Sequence, residues 1–196
     1  AAEARQYLQL ALELIQPVSP ALIAIGGLSG TGKTTLAYNL APRFGAAPGA
    51  RVLRTDILRK RLAGERLTAR LPATAYTDEA TQRVYEALFA QAAAMLASGH
   101  GAIADGVFAR EDERRGVESI AARRTVPFAG LWLEAPLPLL EQRVEHRRAD
   151  ASDATVDVVR RQQDYVIGRL TWTRLDATGA AGAVADRAWA AIRPFL

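Results

Sequence analysis

Short apolar runs alternate along this chain with longer stretches in which apolar positions recur at helical spacing. Residues 22–25, 52–55, 102–104, 128–133 and 174–175 are predicted strands. Predicted helices cover residues 3–16, 34–44, 57–63, 78–97, 111–124, 138–148, 155–166 and 183–192. The first carries an apolar stripe of Tyr7, Leu8, Leu10, Ala11, Leu14 and Ile15, and Pro17 and Pro20 end it. Thr77 is placed to cap residues 78–97, and Gly99 to stop them. Residues 45–49 and 67–76 read as loops and residues 149–153 as a polar break. Trp132 and Phe128 are expected in the core, and Trp172 either there or beside a bound base.

Strands that alternate with helices imply an α/β fold, a parallel sheet covered on both faces. Ligands of such folds sit at the carboxyl ends of the strands. The expected organisation is an N-terminal helix and linker over residues 1–19, then one domain over residues 20–196. A chain of 196 residues is long enough to bury a sizeable core.

Composition narrows the chemistry mainly by exclusion. Cysteine is absent, so there is no thiolate metal site or thiol nucleophile, which fits a cytoplasmic location. His100 and His146 are too few and too far apart to suggest a zinc site. No apolar run approaches a membrane span, and the N-terminus lacks the layout of a signal peptide. The chain begins at Ala1 rather than methionine, the pattern of a fragment or a processed chain. Net charge is +4, carried by 23 Arg and 2 Lys with no single basic tract. That balance suits an anionic small ligand and gives no footing for a nucleic-acid surface.

Residues Gly27, Leu28, Ser29, Gly30, Thr31, Gly32, Lys33 and Thr34 match G-x-x-x-x-G-K-[ST] in full, between a predicted strand and a predicted helix. Glycines allow a tight loop whose N–H groups converge on phosphate oxygens, and the helix N-terminus adds partial positive charge. In such a loop Lys33 reaches the β- and γ-phosphates of ATP and the Thr34 hydroxyl ligates Mg²⁺, with Thr35 next in the helix. The competing reading is a glycine-rich turn without a ligand, which the scarcity of lysine disfavours.

Asp56 follows the second predicted strand, where a carboxylate can face the γ-phosphate and accept the proton of a substrate hydroxyl. It is equally placed to cap the helix expected from Ile57. Arg59, one turn on, is a substrate contact or a solvated charge. Asp105 ends the third strand, either holding a Mg²⁺-bound water or making an Asp-Gly turn. Arg143, Arg147 and Arg148 share one predicted helix before a polar segment that could act as a short lid, and Arg160 and Arg161 lie on the returning helix. They either meet ATP or form a solvated face. A loop at residues 175–178 could bring backbone groups such as that of Ala177 to the adenine.

Over residues 20–195 the chain resembles the small P-loop kinases grouped with zeta toxins, chloramphenicol phosphotransferase and gluconate kinase. It is most similar to bacterial predicted kinases found as the C-terminal half of chains whose N-terminal half resembles an aminoglycoside phosphotransferase. The resemblance rests on Gly-Gly-Leu-Ser-Gly-Thr-Gly-Lys-Thr-Thr at 26–35, Leu-Arg-Thr-Asp at 53–56 and Ala-Asp-Gly-Val-Phe at 104–108. Leu-Trp-Leu-Glu-Ala-Pro at 131–136 and Asp-Ala-Ser-Asp-Ala at 150–154 extend it. It implies a five-stranded, nucleoside-kinase-like parallel sheet with a short lid, and Asp56 as catalytic base. It further implies Arg147 or Arg148 on the transferred phosphate, and Arg143 stacked on adenine. The function expected is transfer of the γ-phosphate of Mg-ATP to a hydroxyl of an unidentified small molecule. A toxin-like nucleotide-sugar kinase, a nucleic-acid end kinase and an ATP-binding regulatory module remain as alternatives. Residues 57–80, on the acceptor side, carry no recognisable motif.

Overall fold

The computed structural model describes residues 2–15, 18–146 and 151–196. Strands β1 (Leu22–Gly27), β2 (Arg51–Arg54), β3 (Ala102–Asp105), β4 (Phe128–Glu134) and β5 (Thr173–Asp176) form one sheet. Its order is β2-β3-β1-β4-β5 and every pairing is parallel. The described helices are α1 (Ala2–Ile15), α2 (Lys33–Leu40), α3 (Thr55–Leu62), α4 (Asp78–Ala97), α5 (Glu111–Arg124), α6 (Leu137–Glu145), α7 (Val156–Gln162) and α8 (Ala181–Ile192). This is the α/β architecture the alternating pattern predicts.

The central strand shows why its sequence is continuously apolar. Leu22 and Ala24 join one core with Leu88 of α4 and Val117 of α5, and Ile23 and Ile25 join a second with Leu36 of α2 and Ala188 of α8. A strand buried on both faces has no polar side to show. Trp132 and Trp172 belong to the first core. Trp172 meets Phe108 edge-on at 5.1 Å and donates its indole N–H to Glu118 at 2.6 Å, so it packs inside the protein. Phe128 falls short of the full burial expected for it: as the first residue of β4 it is half-buried against the rim of that core.

Several boundaries move for local reasons. The helix after the glycine-rich turn ends at Leu40, because Pro42 tightens the next residues into a 3₁₀ turn, Ala41–Arg43. Strand β2 runs into α3 without an intervening residue, so α3 starts at Thr55 and Arg54 takes the N-cap position. Asp56 therefore does not cap this helix; it lies inside the first turn. Thr77 caps α4 by accepting from the Ala80 amide at 3.2 Å. Thr155, expected to be helical, caps α7 by accepting from the Val158 amide at 3.4 Å.

Helix α1 forms, but its apolar stripe stays exposed, with Tyr7 at 67% and Ile15 at 75%. The two sheet faces are already covered by α2 and α8 on one side and α4 and α5 on the other. Among the described residues, no helix is long and apolar enough to cross a membrane.

Candidate functional site

The end of β1, the loop after it and the start of α2 build the first half of the site. Gly32 precedes α2 with φ +90°, a left-handed conformation that a side chain would strain. Gly30 lies against α6: a Cβ there would sit 2.7 Å from the Leu140 carbonyl oxygen. The loop is thus folded so tightly that glycine is required, as a backbone phosphate cradle demands. Thr31 is buried and its hydroxyl donates to the Leu28 carbonyl at 2.8 Å. The Lys33 ammonium spans the loop, 3.0 Å from the same carbonyl. Helix α2 begins at Lys33, directly after Gly32, so its N-terminus with its partial positive charge adjoins the loop.

Strand ends β2 and β3 supply the acidic half. Thr34 donates its hydroxyl to Asp105 at 2.5 Å, joining the start of α2 to the end of β3. Arg54, last in β2, lies 3.7 Å from the same Asp105 oxygen. Burial pushes the Asp105 carboxyl above the ordinary carboxylate value, against the pull of Lys33, Thr34 and Arg54, while nearby Asp56 pushes the same way as burial. Asp56 follows in the first turn of α3, two residues beyond Arg54, whose register partner in β3 is Asp105. A hydroxyl and one carboxylate suit a Mg²⁺ that keeps most of its waters. Among the described residues no cluster of three or more His, Cys, Asp or Glu could enclose a metal by itself.

A further polar cluster joins α3 to the segment 67–76 and to Asp153, which lies in the Asp-Ala-Ser-Asp-Ala stretch at 150–154. Arg59 donates to the Ala75 carbonyl at 2.6 Å and sits 4.9 Å over the Tyr76 ring, which fixes it against the 3₁₀ turn Ala73–Tyr76. It is not the free surface charge that one reading allowed. The Tyr76 hydroxyl is raised above its ordinary value by burial first, then by Asp153 and Asp56. Lys60 is 1% exposed. Its ammonium donates to Leu67 O at 2.9 Å, Ala69 O at 2.7 Å and Asp153 at 3.0 Å. Asp153 also accepts from Tyr76 at 2.6 Å and from the Leu71 amide at 3.1 Å. One clue to Lys60 is its rarity, since the only other lysine of this Arg-rich chain is Lys33.

Arg143 of α6 donates to the Ala177 carbonyl at 2.9 Å and lies 3.5 Å from the carbonyls of Gly30 and Thr31. Arg143, Ala177 and the glycine-rich loop, read separately from the sequence, are thus joined. Arg147 and Arg148 lie outside the described residues. Gln162, unmarked in the sequence, is buried and accepts from the Ser29 amide at 2.7 Å. Arg160 is exposed and pairs with Glu141 at 2.6 Å, and Arg161 faces solvent. Buried Arg114 binds the carbonyls of Phe108, Ala109, Ile167 and Arg169 and holds the segment after Asp105 in place.

Residues 22–168 match the family described as AAA domain. Uncharacterised proteins of Mycobacterium bovis and Mycobacterium tuberculosis are 30% identical over 189 residues, 91% of this chain. The chain spans 36% of the length of those relatives. A gluconokinase from Sinorhizobium meliloti superposes with a TM-score of 0.64 at 19% identity, covering 90% of this chain and 94% of its own. The APS kinase of Mycobacterium tuberculosis, in complex with AMPPNP and APS, gives 0.64 at 18% identity, covering 90% and 98%. These likenesses are likenesses of fold.

Proposed function

The chain belongs to the AAA-domain family, and on that premise we propose that it is an ATP-dependent kinase that transfers the γ-phosphate to a hydroxyl of a small molecule. The observation that supports this reading is that Asp56 follows β2 in the first turn of α3, at the end of the sheet where Arg54 is in register with Asp105 and Thr34 donates to Asp105. A nucleotide-binding loop needs no second carboxylate on its open side. A kinase needs one to receive the acceptor's proton. The kinase fold neighbours, one of them holding AMPPNP, support the same class.

In this mechanism amides of the loop 27–35 and the N-terminus of α2 bind the phosphate oxygens of ATP, while those of Gly27, Ser29 and Thr31 donate to Val107, Gln162 and Leu28 and hold the loop in shape. Lys33 turns from Leu28 to the β- and γ-phosphates, and Arg143 with the Ala177 backbone flanks the base. Thr34 and Asp105 would hold Mg²⁺, whose chemistry here is to neutralise phosphate charge. Asp56 accepts the hydroxyl proton as the acceptor oxygen bonds to phosphorus and ADP leaves. Arg147 or Arg148 stabilises the transferring group, a role that rests on the family resemblance alone.

The finer assignment is to the zeta toxin, chloramphenicol phosphotransferase and gluconate kinase group, acting in the cytoplasm without nucleic acid or membrane. Residues 1–19 form a helix and linker, residues 20–196 the kinase domain. Because the chain spans only 36% of its curated relatives, an attached domain resembling an aminoglycoside phosphotransferase is part of the proposal. The same observation favours one other reading, an ATP-binding module that regulates such a domain. A screen of hydroxyl compounds reading ADP release tests the kinase. Asp56→Asn should bind ATP and lose transfer; full transfer in that variant would remove Asp56 from the mechanism. A regulatory module would bind ATP, yield no phosphorylated product and be indifferent to the substitution.

A further inference from the structure

Residues 151–162 touch both halves of the site. At one end Asp153 is fastened to the acceptor side by Lys60, the Leu71 amide and the Tyr76 hydroxyl. At the other end Gln162 accepts the Ser29 amide of the phosphate loop. The two anchors are joined by a short rigid piece. Thr155 caps α7, and Val159, 0% exposed, packs with Leu140 and Val144 of α6 and with Leu28 of the loop itself. The helical part is about 10 Å long, so a shift at one anchor is carried to the other with little room to dissipate.

We propose that residues 153–162 form a strap that couples the acceptor-side segment 67–76 to the phosphate loop, with Asp153 and Gln162 as its positioning residues. Neither touches reacting atoms. Gln162 sets the direction of the Ser29 amide, and Asp153 sets where the segment beneath Tyr76 stands. Settling of the acceptor side then presses α7 toward the loop, and phosphate binding at the loop tightens the hold that Asp153 already has on Lys60 and Tyr76. The consequence for the proposed kinase, on which this role rests, is that donor and acceptor sites are not independent.

Each anchor holds one backbone amide, which makes the coupling measurable without knowing the acceptor. Amide hydrogen exchange is read at Ser29 and Leu71 in the wild type, Gln162→Leu and Asp153→Asn, with the β1–β3 ladder as a control for global opening. Gln162→Leu should speed exchange at Ser29 by roughly ten-fold or more, the consequence of a lost bond, and at Leu71 by about three-fold. Asp153→Asn should do the reverse. The probe AMPPNP with magnesium should slow both amides in the wild type, and Gln162→Leu should abolish the slowing at Leu71 alone. If each variant disturbs only its own amide, the strap is merely two local contacts and the proposal is overturned. If Asp153→Asn opens the ladder, Tyr76→Phe, which leaves Lys60 and Leu71 engaged, takes its place with the same two outcomes. If AMPPNP slows neither residues 28–34 nor Leu71 in the wild type, the nucleotide reading falls, while the cross-effects between variants still decide the strap.

Discussion

The two sides of this cleft are made of different material. On the proposed donor side, residues 27–35, the groups are backbone amides and the side chains of Lys33 and Thr34, all within one short stretch of chain. On the proposed acceptor side, the polar groups belong to residues far apart in sequence: Asp56, Arg59, Lys60, Leu71, Tyr76 and Asp153. A site built of backbone must constrain which residues can occupy it, because only glycine tolerates the geometry at Gly30 and Gly32. A site built of long side chains constrains contacts instead, and many sequences can supply those.

Removing a donor-side charge should have the largest effect. Lys33→Ala should lower ATP turnover on the order of 10³-fold, as loss of an electrostatic contact to transferring phosphate does, measured by ADP release. Asp56→Asn should cost on the order of 10² to 10³ in transfer, with AMPPNP affinity retained by calorimetry. If Asp56→Asn instead weakened nucleotide binding as much as Lys33→Ala, the division into two sides would break.

Stability should show the contrast in a different form. Lys60→Met leaves Asp153 and two loop carbonyls short of a buried donor, and should cost about 3 kcal/mol in denaturant unfolding. Gly30→Ala forces a Cβ onto the Leu140 carbonyl and should cost about 2 kcal/mol while abolishing nucleotide binding. Loss of binding with unchanged stability would mean that the loop yields more freely than its packing on α6 implies.

The smallest effect is in acid. Burial would raise the Asp153 carboxyl, but hydrogen bonds from Tyr76, Lys60 and Leu71 outweigh it and hold the group below its ordinary value of 3.8. A depressed carboxylate contributes stability that is fully present above 3.8 and lost as pH falls through its lower folded value. Acid titration of unfolding should therefore show wild type losing more stability below 3.8 than Asp153→Asn loses. Parallel curves would place Asp153 outside the acid response.

Much of this molecule was written in local pattern. Continuous apolar runs are what a doubly covered parallel strand needs, and those at 22–25, 102–104 and 128–133 made the middle of the sheet legible. Gly27 to Thr34 announced the phosphate loop because conformation, charge and helix start must all coincide there. Asp56 and Asp105 stand out in the sequence because strand ends are where such sheets bind ligands. The tertiary structure alone decided that Asp56 sits within the first turn of α3, that Lys60 is buried, and that Gln162 touches Ser29. It also decided that α1 keeps its apolar stripe exposed. The physical reason is distance along the chain. Periodicity and turn chemistry act over a few residues, whereas a contact between residues 29 and 162 exists only after the sheet has brought α6 and α7 over the loop.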